Sequence, residues 1–162
     1  MIEELSVSAQ APYTADEVLA NFSAVLDSMD FARELAVLGV KRLHFRRRER
    51  LIRELRALSI GLWRLALHRS FPQDGETMFE MFLARLAEAP AHSREAQRAL
   101  DFIQLARGYV ELLREKGDTD FMVASSHIVG LFKQKEQETA SRSLKLALLI
   151  RNTYTVIFDR LI

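Results

Sequence analysis

The chain has 162 residues, 49% hydrophobic and 28% charged, with no cysteine and a formal net charge of +1. That size and balance suit one domain around one core, and the missing cysteine excludes disulfides, thiolate metal sites and a cysteine nucleophile. Six glycines and three prolines are too few for the turns of an all-β chain. The expected fold is therefore all-α, a compact bundle of five to six helices. The first residues, Met1 to Leu5, carry acids where a secretory signal carries basic residues. The longest apolar run, Leu146 to Ile150, falls far short of the roughly 20 residues that cross a bilayer. A soluble, cytoplasmic protein with no membrane partner is the expectation.

Residues 1–13 lack a helical period and contain Pro12; they are expected to form an N-terminal arm on a single helical-bundle domain, 14–162. Thr14-Ala15-Asp16-Glu17 is a capping box, and behind it Val18, Leu19, Phe22, Val25, Leu26 and Met29 recur at helical spacing. A short second helix through Phe31 and Leu35 stops at Gly39. The next helix is expected from about Val40 to Ser70, with Leu51, Leu55, Leu58, Leu62 and Leu65 as its stripe and Arg42, Arg46, Glu49, Arg50, Arg53 and Arg56 opposite. Phe71 to Gly75 ends it. Met78, Phe79, Phe82, Leu83 and Leu86 form the face of the following helix, up to Pro90.

Ser93 opens a helix reaching Lys116, whose inner face would be Ala96, Leu100, Ile103, Val110 and Leu113; Gly117 suits its left-handed stop. A helix capped by Asp118 or Thr119 presents Phe121, Ser125, Ile128, Val129 and Phe132, and Lys133 to Glu138 is a polar connection. The last helix runs from about Thr139. Its apolar residues, among them Leu149, Ile150, Tyr154, Ile157, Phe158 and Leu161, sweep an arc of roughly 200°, where a surface helix needs only about 100°. Burial on two sides follows, either at the centre of the bundle or across a subunit interface, which makes a homodimer the expected assembly.

Motifs for chemistry are absent. His44, His68, His92 and His127 make no His-Glu-x-x-His or Glu-x-x-His pair, no glycine-rich phosphate loop or nucleophile elbow occurs, and no cofactor, metal or catalytic residue is expected. The acid pairs Glu76/Glu80 and Glu111/Glu115 lie on polar faces and read as solvated. Phe71, Phe79 and Phe82 near Trp63 suit a helix-helix core better than a ligand pocket.

The charge distribution is the feature that stands out. Residues 1–40 hold seven acids and one base; residues 41–56 hold eight bases and two acids. Arg42, Arg46, Arg47, Arg50 and Arg53 could track a nucleic-acid backbone or an acidic partner. The competing expectation is neutralisation within the same molecule or by a dimer mate, with Asp16, Glu17, Asp27, Asp30 and Glu34 facing the arginines of residues 41–56 and Glu49 paired with Arg53. A helix-turn-helix at Ser126–Phe132 and Glu138–Ser143 fits poorly, because its second helix turns apolar. The leading expectation is a non-enzymatic, regulatory or protein-interaction function; nucleic-acid binding is the alternative.

Overall fold

The computed structural model describes residues 13–88, 92–114, 120–132 and 134–162. It holds seven helices and no strand among them: α1 (Ala15–Ser28), α2 (Ala32–Val37), α3 (Phe45–Ser70), α4 (Gly75–Glu88), α5 (Ser93–Arg114), α6 (Met122–Gly130) and α7 (Glu136–Asp159). The all-α expectation holds, with one helix more than counted from the sequence. The expected arm lies outside the described residues except for Tyr13, whose ring meets Phe71 edge-on at 4.8 Å. The expected Gly117 stop and the Asp118 or Thr119 cap also lie outside them.

Local chemistry sets the element ends. The Thr14 capping box forms in both directions: Glu17 N–H donates to Thr14 Oγ1 and Thr14 N–H to Glu17 Oε2. After α2 the chain closes a Schellman motif, with Val40 N–H on the Leu35 carbonyl, Gly39 N–H on that of Ala36, and Gly39 at φ +67°. A turn follows in which Lys41 N–H donates to His44 Nδ1 and His44 N–H returns to the Lys41 carbonyl. These two devices hold residues 40–44 out of the helix. α3 therefore begins at Phe45 rather than Val40, and Arg42 lies in the turn, off the helix face assigned to it.

The centre of the bundle is α3, against which α1, α4, α5, α6 and α7 all pack. Every residue from Ala57 to Trp63 is buried, so this stretch is wrapped on all sides rather than along one stripe. Gly61 has a structural reason: a Cβ there would sit 3.1 Å from Leu113 Cδ1 and 3.5 Å from the Tyr109 backbone, so glycine admits α5 closely. Trp63 stacks on Phe22 at 4.4 Å and takes Phe82 edge-on at 5.0 Å, with Phe79 tilted beyond. The aromatic residues weighed above as a pocket thus fill one another's space as core.

α7 packs on α3, α6 and α2 and starts three residues before its expected Thr139. It buries one stripe: Ser143, Leu146, Ala147, Ile150, Tyr154 and Ile157, with Leu161 just beyond the helix. Leu149 is half-buried and Phe158 is exposed, as are Leu144 and Leu148. Ser125 Oγ donates to the Ser143 carbonyl and ties α6 to this stripe. Ser143 is thereby buried at the point where the helix-turn-helix reading needs a wet surface.

Two glycines report on packing with opposite signs. At Gly75 a Cβ would lie 2.8 Å from the Leu67 carbonyl oxygen, against backbone that cannot move aside; at Gly108 nothing lies within 4 Å. Gly75→Ala is expected to destabilise the fold by about 1–3 kcal/mol, and Gly108→Ala to stabilise it by about 0.5–1 kcal/mol. Denaturant midpoints of the two variants check both signs.

Candidate anion-binding cleft

α3 and α5 run in the same direction, because Arg50 and Arg53 share a cleft with Arg98 near their starts and Gly61 meets Tyr109 and Leu113 further along. No residue of α3 before Leu51 and none of α5 before Ile103 is buried. Both helices therefore leave the core at one end of the bundle. Leu100 is exposed and Ala96 half-buried, so these two do not form the inner face expected of them: the first turns of α5 have diverged from α3. An open cleft of about 450 Å³ lies between the two ends, lined by Arg46, Glu49, Arg50, Arg53 and Arg98.

Geometry explains why these side chains meet. At 100° per residue, Phe45, Glu49, Arg53, Arg46 and Arg50 fall within an arc of about 140° on α3, and Arg46 to Arg53 spans about 10 Å of helix. Sequence reasoning identified the arginines of α3 but not Arg98, which sits alone in a polar stretch and reaches the cleft only through packing of α5 on α3. Arg42 is held away in its turn. Arg47 is exposed on α3 but does not line the cleft.

The acids expected to cover this face are engaged elsewhere. Asp27 pairs with Arg56 at 3.6 Å, one turn beyond the cleft, and Asp16 pairs with Arg85 of α4. Glu17 completes its capping box, and Asp30 accepts from the N–H of Ala32. Glu34 is half-buried, and that burial raises its carboxyl above the usual range. Glu49 and Arg53 do not close to an ion pair. Among the described residues no acid stands within ion-pair distance of Arg46, Arg47, Arg50, Arg53 or Arg98. Within the single chain, and among the described residues, these acids leave those five arginines uncovered; in the basic segment Arg56 pairs with one of them, Asp27.

Several of the remaining acids and histidines are engaged as well. Glu80 takes two hydrogen bonds of 2.9 Å from Arg107, which hold its carboxyl below the usual range. Glu76 meets Arg64 and His68 at 2.9 and 2.7 Å; burial opposes them, yet its carboxyl is lowered. Glu111 pairs with Arg114 at 3.4 Å. His127 lies edge-on to Tyr109 at 5.7 Å, and His44 closes its turn. Among the described residues no three His, Asp or Glu side chains converge as a metal site requires, and no helix is long and apolar enough to cross a membrane.

Behind the cleft, Glu54 is buried and accepts a short hydrogen bond from Tyr109 Oη. Burial, and then that bond, push the Tyr109 phenol far above its ordinary range, so it stays a donor. Arg50 lies 5.5 Å from the centre of the Phe132 ring, a cation-π contact that fixes the inner wall. A second open groove of about 660 Å³ lies between α2 and α7 with two cations, Arg142 and Lys145, and the acid Glu138 in its wall; Arg142 is already engaged by Glu138 at 2.9 Å, Gln134 and the Leu38 carbonyl. Comparison with known protein families, with characterised proteins and with solved structures returns no match.

Proposed function

We propose that this is a non-enzymatic binding protein whose working surface is the cleft between α3 and α5, and whose ligand is the phosphate backbone of a nucleic acid. One observation carries the reading: four arginines from two helices line a single open cleft in which Glu49 is the one acid. Like charges are gathered there although acids are plentiful elsewhere in the chain. Arginine keeps its charge at any physiological pH and grips phosphate with a planar fork of donors. The N-terminal ends of α3 and α5 add the positive ends of two helix dipoles at the same end of the bundle. Each phosphate contact releases counterions, which supplies affinity without reading sequence.

Because Arg46 and Arg50 are exposed, reversing them keeps the fold, at a cost of about 0.5–1 kcal/mol for the lost Arg50–Phe132 contact. Arg46→Glu combined with Arg50→Glu is expected to weaken nucleic-acid binding by about tenfold or more in a gel-shift assay. Unchanged binding by this variant overturns the reading.

A second reading, a homodimer through α7, draws on a different observation. Leu144 and Leu148 are 56% and 53% exposed on one side of that helix, with Phe158 further along, so the second flank of its wide apolar arc is uncovered in the single chain. Sedimentation velocity at micromolar concentration is expected to show a dimer that Leu144→Lys with Leu148→Lys converts to monomer. A wild-type monomer removes this reading.

A further inference from the structure

The largest apolar side chain at the cleft end of α3 faces water. Phe45, the first residue of the helix, is 73% exposed, and Leu43 in the preceding turn is 82% exposed. Burying a phenylalanine side chain is worth about 1.5–3 kcal/mol, and this chain buries Phe22, Phe31, Phe71, Phe79, Phe82, Phe121 and Phe132. Phe45 is left out because the turn at Lys41–His44 swings the start of α3 clear of the bundle. On α3 it lies about 40° round the helix from Glu49 and about 80–100° from Arg53 and Arg46, one turn ahead of Glu49 and just outside the residues that line the cleft.

We propose that the cleft takes single-stranded nucleic acid, with Phe45 as the platform on which a base stacks; this deepens the phosphate-backbone reading above and rests on it. Cations that follow the backbone beside an exposed ring are what recognition of a single strand requires, since every base offers a π-face once it is unpaired. A duplex hides those faces. Reading a duplex by its base edges takes a helix laid in the major groove, whereas only the first turns of α3 stand clear of the core, which begins at Leu51, and their arginines line an open cleft. A cleft between two helix ends also suits a strand that enters it better than a flat lipid surface. The strand would run along the α3 side from Arg53 to Arg46, phosphates on the guanidiniums, and turn a base out onto Phe45.

The test measures fluorescence anisotropy of a labelled single strand long enough to overrun the cleft, and of the same sequence as a duplex. The proteins are the wild type, Phe45→Ala, Phe45→Tyr and the Arg46→Glu, Arg50→Glu variant. Phe45 has no core neighbours to lose, so Phe45→Ala folds. It is expected to weaken single-strand binding about tenfold while leaving duplex binding within twofold, and Phe45→Tyr, which keeps a ring, is expected to retain the affinity. If Phe45→Ala matches wild type while the charge reversal weakens both forms, stacking is overturned and the cleft reading stands. If wild type binds neither form, the cleft reading itself fails. Wild-type binding to vesicles containing phosphatidylserine that Phe45→Ala abolishes, with single-strand binding untouched, overturns the proposal in favour of a membrane surface.

Discussion

Everything in this fold is arranged around α3, a helix that serves as core along one half and as surface along the other. Its central residues are enclosed by five other helices, and burial there is worth about 1.5–3 kcal/mol for each large side chain. Exposed ion pairs such as Asp27 with Arg56 contribute about 0–1 kcal/mol apiece. The core therefore decides the geometry, and the charges accept the places it leaves them. Since α3 is one continuous helix of 26 residues, fixing Leu51 to Leu67 also fixes the direction in which Arg46, Arg50 and Arg53 emerge. Gly61 has the same role for α5: by admitting Tyr109 and Leu113 closely, it sets the angle at which Arg98 arrives at the far end.

The acids follow from this arrangement. α1 lies against α3 and α4, so Asp27 meets Arg56 and Asp16 meets Arg85, and neither reaches the first two turns of α3. The chain carries nearly equal numbers of acids and bases and pairs many of them, yet among the described residues the cleft arginines stand outside those pairs. Repulsion among exposed guanidiniums is weakened by the high dielectric of the water around them, so four of them can share an open cleft. Behind them, the Glu54–Tyr109 pair seals a buried carboxylate with one donor, and Arg50 is steadied by Phe132 rather than by a counter-charge.

Much of this was legible in the residues. The capping box at Thr14, the stop at Gly39, the leucines of α3 and the apolar face of α6 are short-range patterns, and each appears where the spacing puts it. Two long-range features escaped. The absence of any charged residue from Ala57 to Trp63 already signals all-round burial, but the arginine stripe before it draws attention to one face only, so the central place went to α7 as one of two options. Arg98 could not be assigned, because nothing local marks it; its role appears only once α5 lies parallel to α3. Within one chain, and among the described residues, the acidic segment meets the basic one only at Asp27 and Arg56, for a related reason. Sequence adjacency says nothing about which face of α1 meets α3, and Val18, Leu19, Phe22, Val25 and Leu26 turn that face inward ahead of any charge.

The central claim is that the arginines of the cleft are free to meet phosphates, and the salt dependence of single-strand affinity tests it most directly. Each phosphate neutralised contributes about −0.7 to the slope of log affinity against log salt, so four arginines predict a slope near −3. A slope close to zero, or no affinity even at low salt, would contradict the account.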